Sequence, residues 1–319
     1  MKKTIGYLSV VAFLSTSLFF ASCKKSDVKN NDTSTTTEAE LQTQSDDQER
    51  FTAETDAVTD DANASLENSS ISNAGERPTT PSDPLPYACD FTVSIDTTVN
   101  PRTITLTYTG TGCTGSNRTR TGKVVLSFSP DFRWGKAGSS YTVTYVDLKI
   151  TRKSDSKAIT INGSKTITNV SGGRLRNLAT RGSAIIHDVK SSSMTVTFDN
   201  GSQRQWQISK RRTFTYDNGI VIAISGTGTA SAGLAEWGTN RFGKEFTNSI
   251  LEPLTVKQSC DFRLVSGKAA HTVGNFSSTV TFGLDVTGAP VTTCPTGLFY
   301  FKAIWTGPAG ATYTVIAPY

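Results

Sequence analysis

The sequence predicts an all-β fold for residues 87–319, an antiparallel meander built as a sandwich, an elongated sheet or a barrel. The first observation is a hydrophobic period of two from Cys89 onward, which is typical of strands with one buried and one solvated face. The second is an Asp-Asn-Gly turn at 199–201 and another at 217–219, because Asn-Gly accepts the positive φ of tight hairpins. The third is that this region has no helical stripe of useful length.

Three segments show the strand alternation most clearly, at residues 91–95, 104–108 and 280–286. Further strands are predicted at residues 123–129, 141–152, 158–170, 183–189, 194–198, 204–216, 220–229, 246–256 and 297–305. The threonine row at Thr103, Thr105, Thr107 and Thr109 is interpreted as the solvated face of one strand rather than as a ligand-binding array.

Four cysteines lie in the predicted β body, Cys89, Cys113, Cys260 and Cys294. An even number in an exported chain predicts two disulfides, for which three connectivities are possible. Cys-Asp-Phe opens a Thr-rich alternating segment at both Cys89 and Cys260, and a second cysteine follows each time, which favours Cys89–Cys113 and Cys260–Cys294. No metal site is expected, because the spacings contain no Cys-x-x-Cys pair for zinc.

The amino terminus has the pattern of an export signal. Lys2 and Lys3 precede an apolar, uncharged run over residues 5–20, which predicts a signal peptide at residues 1–22. The segment Phe20-Ala21-Ser22-Cys23 resembles a bacterial lipobox. That resemblance implies diacylglyceryl transfer to the Cys23 thiol, cleavage before Cys23 and acylation of the new amino terminus, so that the lipid bilayer is a partner. The alternative is an ordinary signal peptide and an incidental cysteine.

Residues 23–86 are predicted to be a disordered acidic linker after the lipidated cysteine. Residues 24–88 carry 14 acidic and five basic residues, and they have too few apolar side chains to offset the entropy of folding. A weak helical pattern runs from Glu38 to Leu66, but its Thr and Asp content argues against a stable helix. As a coil of roughly 60 residues, the linker would span about 40–50 Å. The sequence thus joins an acidic tether to a basic body.

The catalytic signals are weak. The only histidines are His187, which precedes Asp188, and His271, and no serine lies in a Gly-x-Ser-x-Gly context. We therefore expect no enzyme activity and no cofactor, with an exported hydrolase as a minor alternative.

Basic residues of the body suggest a binding role. Arg118 and Arg120 lie close together, as do Arg174, Arg176 and Arg181, while Lys210 and Arg212 follow Trp206. We identify Arg118, Arg120, Lys210, Arg212 and Trp206 as a possible site for an anionic polysaccharide or lipopolysaccharide, through bidentate contacts and stacking. The alternative is that these cations form solvated faces that protect strand edges. Nucleic acid is not expected as a partner, because no nucleic-acid-binding motif is present.

Short motifs of the body resemble a group of Bacteroidota outer-membrane lipoproteins to which no activity is attached. The resemblance rests on residues 119–125, 165–169, 224–228 and 253–256. It implies an outer-membrane address and a Thr-rich all-β body. Lys24-Lys25-Ser26-Asp27 resembles the charged stretches that can direct such lipoproteins to the cell surface.

Together these observations predict a membrane-anchored, noncatalytic module of the cell envelope that binds a glycan or another surface partner. Cell-surface exposure is favoured over the periplasmic face. The alternative is a structural or assembly component that faces the periplasm.

Overall fold

The computed structural model describes residues 38–69, 89–114, 116–307 and 310–319. The predicted signal peptide, Cys23 and the remainder of the linker lie outside these residues. Helix α1 (Glu38–Asn68) and the four-residue helix α2 (Leu178–Arg181) are the α-helices of the described part. Neither described helix combines the length and the apolar composition needed to cross a membrane.

Fourteen strands follow α1 within the described ranges. They are β1 (Phe91–Asp96), β2 (Arg102–Thr109), β3 (Arg118–Phe128), β4 (Ser139–Arg152), β5 (Ala158–Asn169), β6 (Ile185–Phe198), β7 (Gln203–Tyr216), β8 (Ile220–Gly226), β9 (Leu234–Thr239), β10 (Glu245–Lys257), β11 (Arg263–Val273), β12 (Phe276–Leu284), β13 (Tyr300–Thr306) and β14 (Thr312–Pro318). The predicted all-β meander is therefore confirmed.

The strands form one antiparallel sheet in nearly sequential order. The exception is β9, which pairs with the first half of β7, while β8 pairs with its second half. Strands β1 and β14 form the two edges. The segments 183–189 and 194–198, predicted as two strands, are one strand with a register shift between Ser191 and Met194. Strands β9 and β14 were not predicted, because each is short and weakly alternating.

The period of two separates the faces of the sheet as predicted. In β2, Ile104, Leu106 and Tyr108 are buried, whereas the intervening threonines are partly exposed. The buried face belongs to the main core cluster, which extends through β3, β4, β5, β6 and β7.

The predicted disorder is wrong for residues 38–68, which form α1. Phe51, Val58, Ala62 and Leu66 are at most 1% exposed and belong to the main core. Side chains of seven strands between β2 and β11 contact the helix, so the sheet curves around it. Several of the charged side chains on which the disorder prediction relied, among them Glu54, Asp60 and Asp61, form ion pairs with the sheet.

The threonines of α1 do not prevent helix formation, because their hydroxyls have partners within the helix. Thr55 Oγ1 donates to the Phe51 carbonyl at 3.0 Å, and Thr59 Oγ1 donates to the Thr55 carbonyl at 2.8 Å. A buried hydroxyl that donates to a carbonyl four residues earlier avoids an unsatisfied polar group.

Both predicted disulfides are present. Cys89 pairs with Cys113 and Cys260 with Cys294, with Cα–Cα distances of 5.6 and 5.4 Å. The repeated Cys-Asp-Phe motif therefore indicated the right connectivity among three. One disulfide lies at each end of the sheet.

Candidate functional site

The basic residues predicted to bind an external anion lie on the inner face of the sheet, against α1. Arg118 Nε lies 2.7 Å from Glu54 Oε1. Arg120 binds Asp61 at 2.9 Å and both carboxylate oxygens of Asp90 at 2.7 Å. These two guanidiniums are thus occupied by carboxylates of the same chain.

The second half of the predicted site is filled in the same way. Arg212 Nη2 lies 2.8 Å from Asp60 Oδ1, and Lys210 pairs with Glu236 of β9. The Trp206 ring packs on Phe51 of α1 with a centroid separation of 3.6 Å. The prediction that these five residues bind an anionic polysaccharide is corrected. The acidic helix α1 lies against them, and carboxylates of the same chain pair with the four cations.

Charge complementarity explains why the helix lies there. Residues 38–68 contain ten acidic residues and one basic residue, and cations of the sheet and its loops face them. Lys165 Nζ donates to the Thr55 carbonyl and to Thr59 Oγ1, both at 2.6 Å. Further pairs are Arg176–Glu67 at 3.1 Å, Arg241–Asp47 at 2.7 Å and Lys244–Glu40 at 2.8 Å.

Burial also shifts the ionisation of this interior. Desolvation raises the pKa values of Glu54, Asp60 and Asp61, and the neighbouring arginines oppose that shift. The pKa of Lys165 is lowered to about 7, chiefly by desolvation; Asp56 opposes this shift, and the nearby cations Lys210 and Arg212 add to it. The interior therefore stabilises its charges through close pairs and hydrogen bonds.

His187 is buried and His271 is half-buried, and each lies near aromatic rings. The His187 ring lies 4.9 Å from the rings of Trp134 and Phe214, and the His271 ring lies 6.1 Å from that of Phe246. Burial lowers the pKa of each imidazole to about 3, so both are neutral at physiological pH. The His187 ring lies in the core, and His271 Nε2 lies 3.4 Å from Gln44 Nε2 of α1.

The outer face of the sheet carries a different set of groups. Pairing aligns hydroxyl side chains across neighbouring strands, in the row Thr103, Ser127, Thr142 and Thr166, which ends at Lys190 of β6. A second row contains Ser140, Thr168, Asp188 and Arg211. Adjacent strands are about 4.8 Å apart, so each row presents a hydrogen-bonding group at that spacing.

The two rows meet at a shallow outer-face pocket. Its volume is about 230 Å³, and Thr166, Thr168, Asp188 and Lys190 line it. Arg211 holds the Asp188 carboxylate through two hydrogen bonds, of 2.7 and 2.9 Å. The pocket thus combines a fixed carboxylate, an exposed ammonium and two hydroxyls, a set that can donate to and accept from vicinal hydroxyl groups.

Sequence reasoning missed this pocket. The alternation predicts which side chains of each strand are polar and exposed. It does not predict which strands pair or the register in which they pair. The row along β2 at Thr103, Thr105 and Thr107 was therefore interpreted as a single wet face. The signal that the sequence does contain is the repetition of Thr and Ser at alternate positions in β2, β3, β4 and β5.

Within the described ranges, no three His, Cys, Asp or Glu side chains are grouped so that they could hold a metal ion. Comparisons with protein-family models, with curated proteins and with solved structures found no match.

Proposed function

We propose that this chain is a lipid-anchored, noncatalytic protein of the bacterial cell envelope that binds a glycan on the outer face of β2–β7. The observation that carries the proposal is the alignment of hydroxyl side chains across these strands, together with the pocket at Thr166, Thr168, Asp188 and Lys190. Glycans present dense hydroxyl groups, and such groups are bound by carboxylates, amines and hydroxyls in fixed positions.

The inner face supports a noncatalytic role. Its carboxylates Glu54, Asp60 and Asp61 on α1 are paired with cations of the sheet, and both histidines lie near aromatic rings. A hydrolase of the glycosidase type needs two carboxyl groups that face an open cleft. Here the concave side of the sheet is filled by α1.

The lipid anchor is proposed from the sequence, and the position of α1 in the fold determines where the anchored segment joins the body. Cys23 precedes Glu38 by 15 residues, which span at most about 54 Å when fully extended. Because α1 is buried in the body, the acylated end would connect directly to the core of the molecule. The body is then held within about that distance of the membrane that carries the lipid.

The proposal is tested by presenting the full mature chain to an array of bacterial and host glycans, and by calorimetry with the glycans that bind. The double variant Thr166→Val with Lys190→Gln removes a hydroxyl and an ammonium from the pocket. We expect it to weaken binding at least about tenfold, which corresponds to about 1.4 kcal/mol.

The matched control is Thr151→Val, on the same face of the sheet. Thr151 lies nine residues along β4 from Thr142, the partner of Thr166, or about 30 Å away. We expect this variant to bind like the wild type. An array without any bound glycan, or equal affinities for all three proteins, would contradict the proposal.

A second candidate function, as an assembly component facing the periplasm, is favoured by the edge strand β1, which pairs with β2 alone among the described strands. Val93 and Ile95 are 39% and 46% exposed, although they pair with the buried Leu106 and Ile104. Unpaired backbone beside exposed apolar side chains favours addition of a strand from another protein. Val93→Lys should then abolish a complex seen in native gels of solubilised envelopes. A migration unchanged by the substitution would exclude this candidate.

A further inference from the structure

Helix α1 begins at one rim of the sheet and ends at the other. Glu40, in its first turn, pairs at 2.8 Å with Lys244 of the β9–β10 connection. Glu67, in its last turn, lies 3.1 Å from Arg176 of the β5–β6 connection, at the opposite end of the strands. The proximal rim, where α1 begins, contains the hairpin connections at residues 153–157, 199–202, 240–244 and 274–275. The other end of the sheet is the distal rim.

Aromatic side chains are exposed at the proximal rim. Phe242, in the β9–β10 connection, is 39% exposed. Tyr313, the second residue of β14, is 58% exposed, and it pairs with the half-buried Trp305 near the end of β13. Exposed rings of this kind at one end of a sheet form an apolar surface that water solvates poorly.

The exposed rings continue the inner face of the sheet beyond α1. Trp305 pairs with Ser278 of β12, which pairs with His271 of β11. His271 Nε2 lies 3.4 Å from Gln44 Nε2, near the start of α1. Adjacent strands are about 4.8 Å apart, so Trp305 lies roughly 10 Å from the strand residue that the helix contacts. The aromatic side chains and the start of α1 therefore lie at the same rim.

The position of the proposed lipid indicates what covers this rim. Cys23 lies outside the described residues and precedes Glu38 by 15 positions, which span at most about 54 Å. Helix α1 has 31 residues and runs about 46 Å from the proximal to the distal rim. The proximal rim is thus the end of the body that is nearer to Cys23 along the chain.

We propose that the proximal rim contacts the headgroup region of a phospholipid bilayer through Phe242, Trp305 and Tyr313. This inference rests on the acylation of Cys23, which is part of the proposed function, and it adds an orientation. Tryptophan and tyrosine combine an apolar ring with a polar tip, and both gather at membrane–water interfaces. The acyl chains supply the affinity, and the rings determine which end of the body faces the membrane.

This orientation keeps the outer-face pocket away from the bilayer. Thr166, which lines that pocket, lies eight residues along β5 from Ala158, the residue that begins the strand at the proximal rim. At about 3.3 Å per residue, the separation is about 26 Å. A glycan bound at the pocket therefore lies clear of the lipid headgroups.

The first test uses the mature acylated chain in vesicles whose lipids carry bromine on the upper part of the acyl chains, because bromine quenches nearby tryptophan fluorescence. Trp134 and Trp206 are at most 1% exposed, so both should stay unquenched. We expect quenching that Trp305→Phe removes. The matched control is Trp237→Phe, which changes a half-buried ring of β9 and should leave most of the quenching.

The second test measures the weak partition of the unacylated Cys23→Ala chain into concentrated vesicles, which reports the rim without the lipid. Phe242→Ser with Tyr313→Ser should weaken this partition at least about tenfold, because both rings lose apolar area. The matched control is Val286→Ser with Leu298→Ser. These side chains are 66% and 50% exposed in the β12–β13 connection, at the distal rim, and their loss should leave the partition unchanged.

The proposal is overturned if bromine does not quench, if quenching survives Trp305→Phe, or if both double variants partition equally. A dimer that Phe242→Ser with Tyr313→Ser abolishes, found without quenching, would instead assign the rim to a second copy of the chain. Failure of the anchor gives a different result. Mass spectrometry would then find Cys23 without acyl chains, while the partition of the unacylated chain would still test the rim. Neither test contains a glycan, so both are independent of glycan binding.

Discussion

Arg120 of β3 joins Asp61 of α1 to Asp90, the residue that precedes β1. Its Nη1 lies 2.9 Å from Asp61, while Nε and Nη2 each lie 2.7 Å from Asp90. Tyr108 completes the group, because its hydroxyl donates to Asp61 at 2.9 Å and its ring lies 4.4 Å from the guanidinium carbon. One buried arginine thus holds the amino-terminal helix and the first edge of the sheet together.

Replacing Arg120 with methionine should destabilise the protein severely. Two buried carboxylates would lose their partner, and a broken buried pair typically costs about 3–5 kcal/mol of the unfolding free energy. Chemical denaturation followed by tryptophan fluorescence measures the change. Arg211→Met is the matched control, since it breaks the more exposed pair with Asp188 and should cost less than about 1 kcal/mol. Equal effects of the two variants would show that the Arg120 cluster does not stabilise the fold.

Cleavage of the chain between α1 and β1 should leave the two parts of the molecule assembled. We expect a specific protease site placed in residues 70–88 to be cut without release of the β body, because Phe51, Val58 and Leu66 stay buried in the core. The readout is co-elution of the two fragments in size-exclusion chromatography, and their separation in denaturing gels. A matched site in residues 24–37 should instead release the whole body from membranes. Release after cleavage within 70–88 would contradict the burial of α1.

Acid should destabilise the protein through His187. Its pKa in the folded state is lowered from an ordinary 6.5 to about 3, chiefly by burial and also by Arg212, while Asp188 partly opposes the shift. The unfolded chain therefore binds more protons between these values, so this contribution to stability is present above pH 6.5 and is lost as the pH falls toward 3.

The variant His187→Leu should lack this contribution. Its unfolding free energy should fall less than that of the wild type between pH 6.5 and pH 4, as measured by denaturant titrations at each pH. NMR of the imidazole should show a neutral ring at pH 5. A ring that titrates near pH 6.5 would contradict its burial between Trp134 and Phe214.

Cys23→Ala should move the protein from the membrane to the soluble fraction. Acyl chains contribute about 0.8 kcal/mol per buried CH₂, and two or more chains give stable anchoring. Fractionation of cells, with detection by an antibody to the β body, measures the change. Ser22→Gly serves as the conservative control. Retention of Cys23→Ala in the membrane would refute the lipobox interpretation.

The strand pattern was predictable because it depends on neighbours within one segment. The alternation in β2, β5 and β7 and the Asn-Gly turn after β6 are local features, and burial of one face follows from them. The sequence also contained a pattern that indicates an internal partner for the cations of β7. Trp206, Ile208, Lys210, Arg212 and Phe214 share one parity, so the cations belong to the apolar, buried face. A cation on a buried face requires an opposite charge.

The sequence by itself determined the all-β class, the cysteine pairing and the division into an acidic amino-terminal segment and a basic body. Only the tertiary structure decided that residues 38–68 are helical, that the sheet curves around them and that their carboxylates occupy the predicted anion-binding arginines. The physical reason is that an isolated helix of this composition gains little from its own contacts. Its stability comes from apolar burial and from polar contacts with strand residues that lie from 47 to 227 positions away in the sequence.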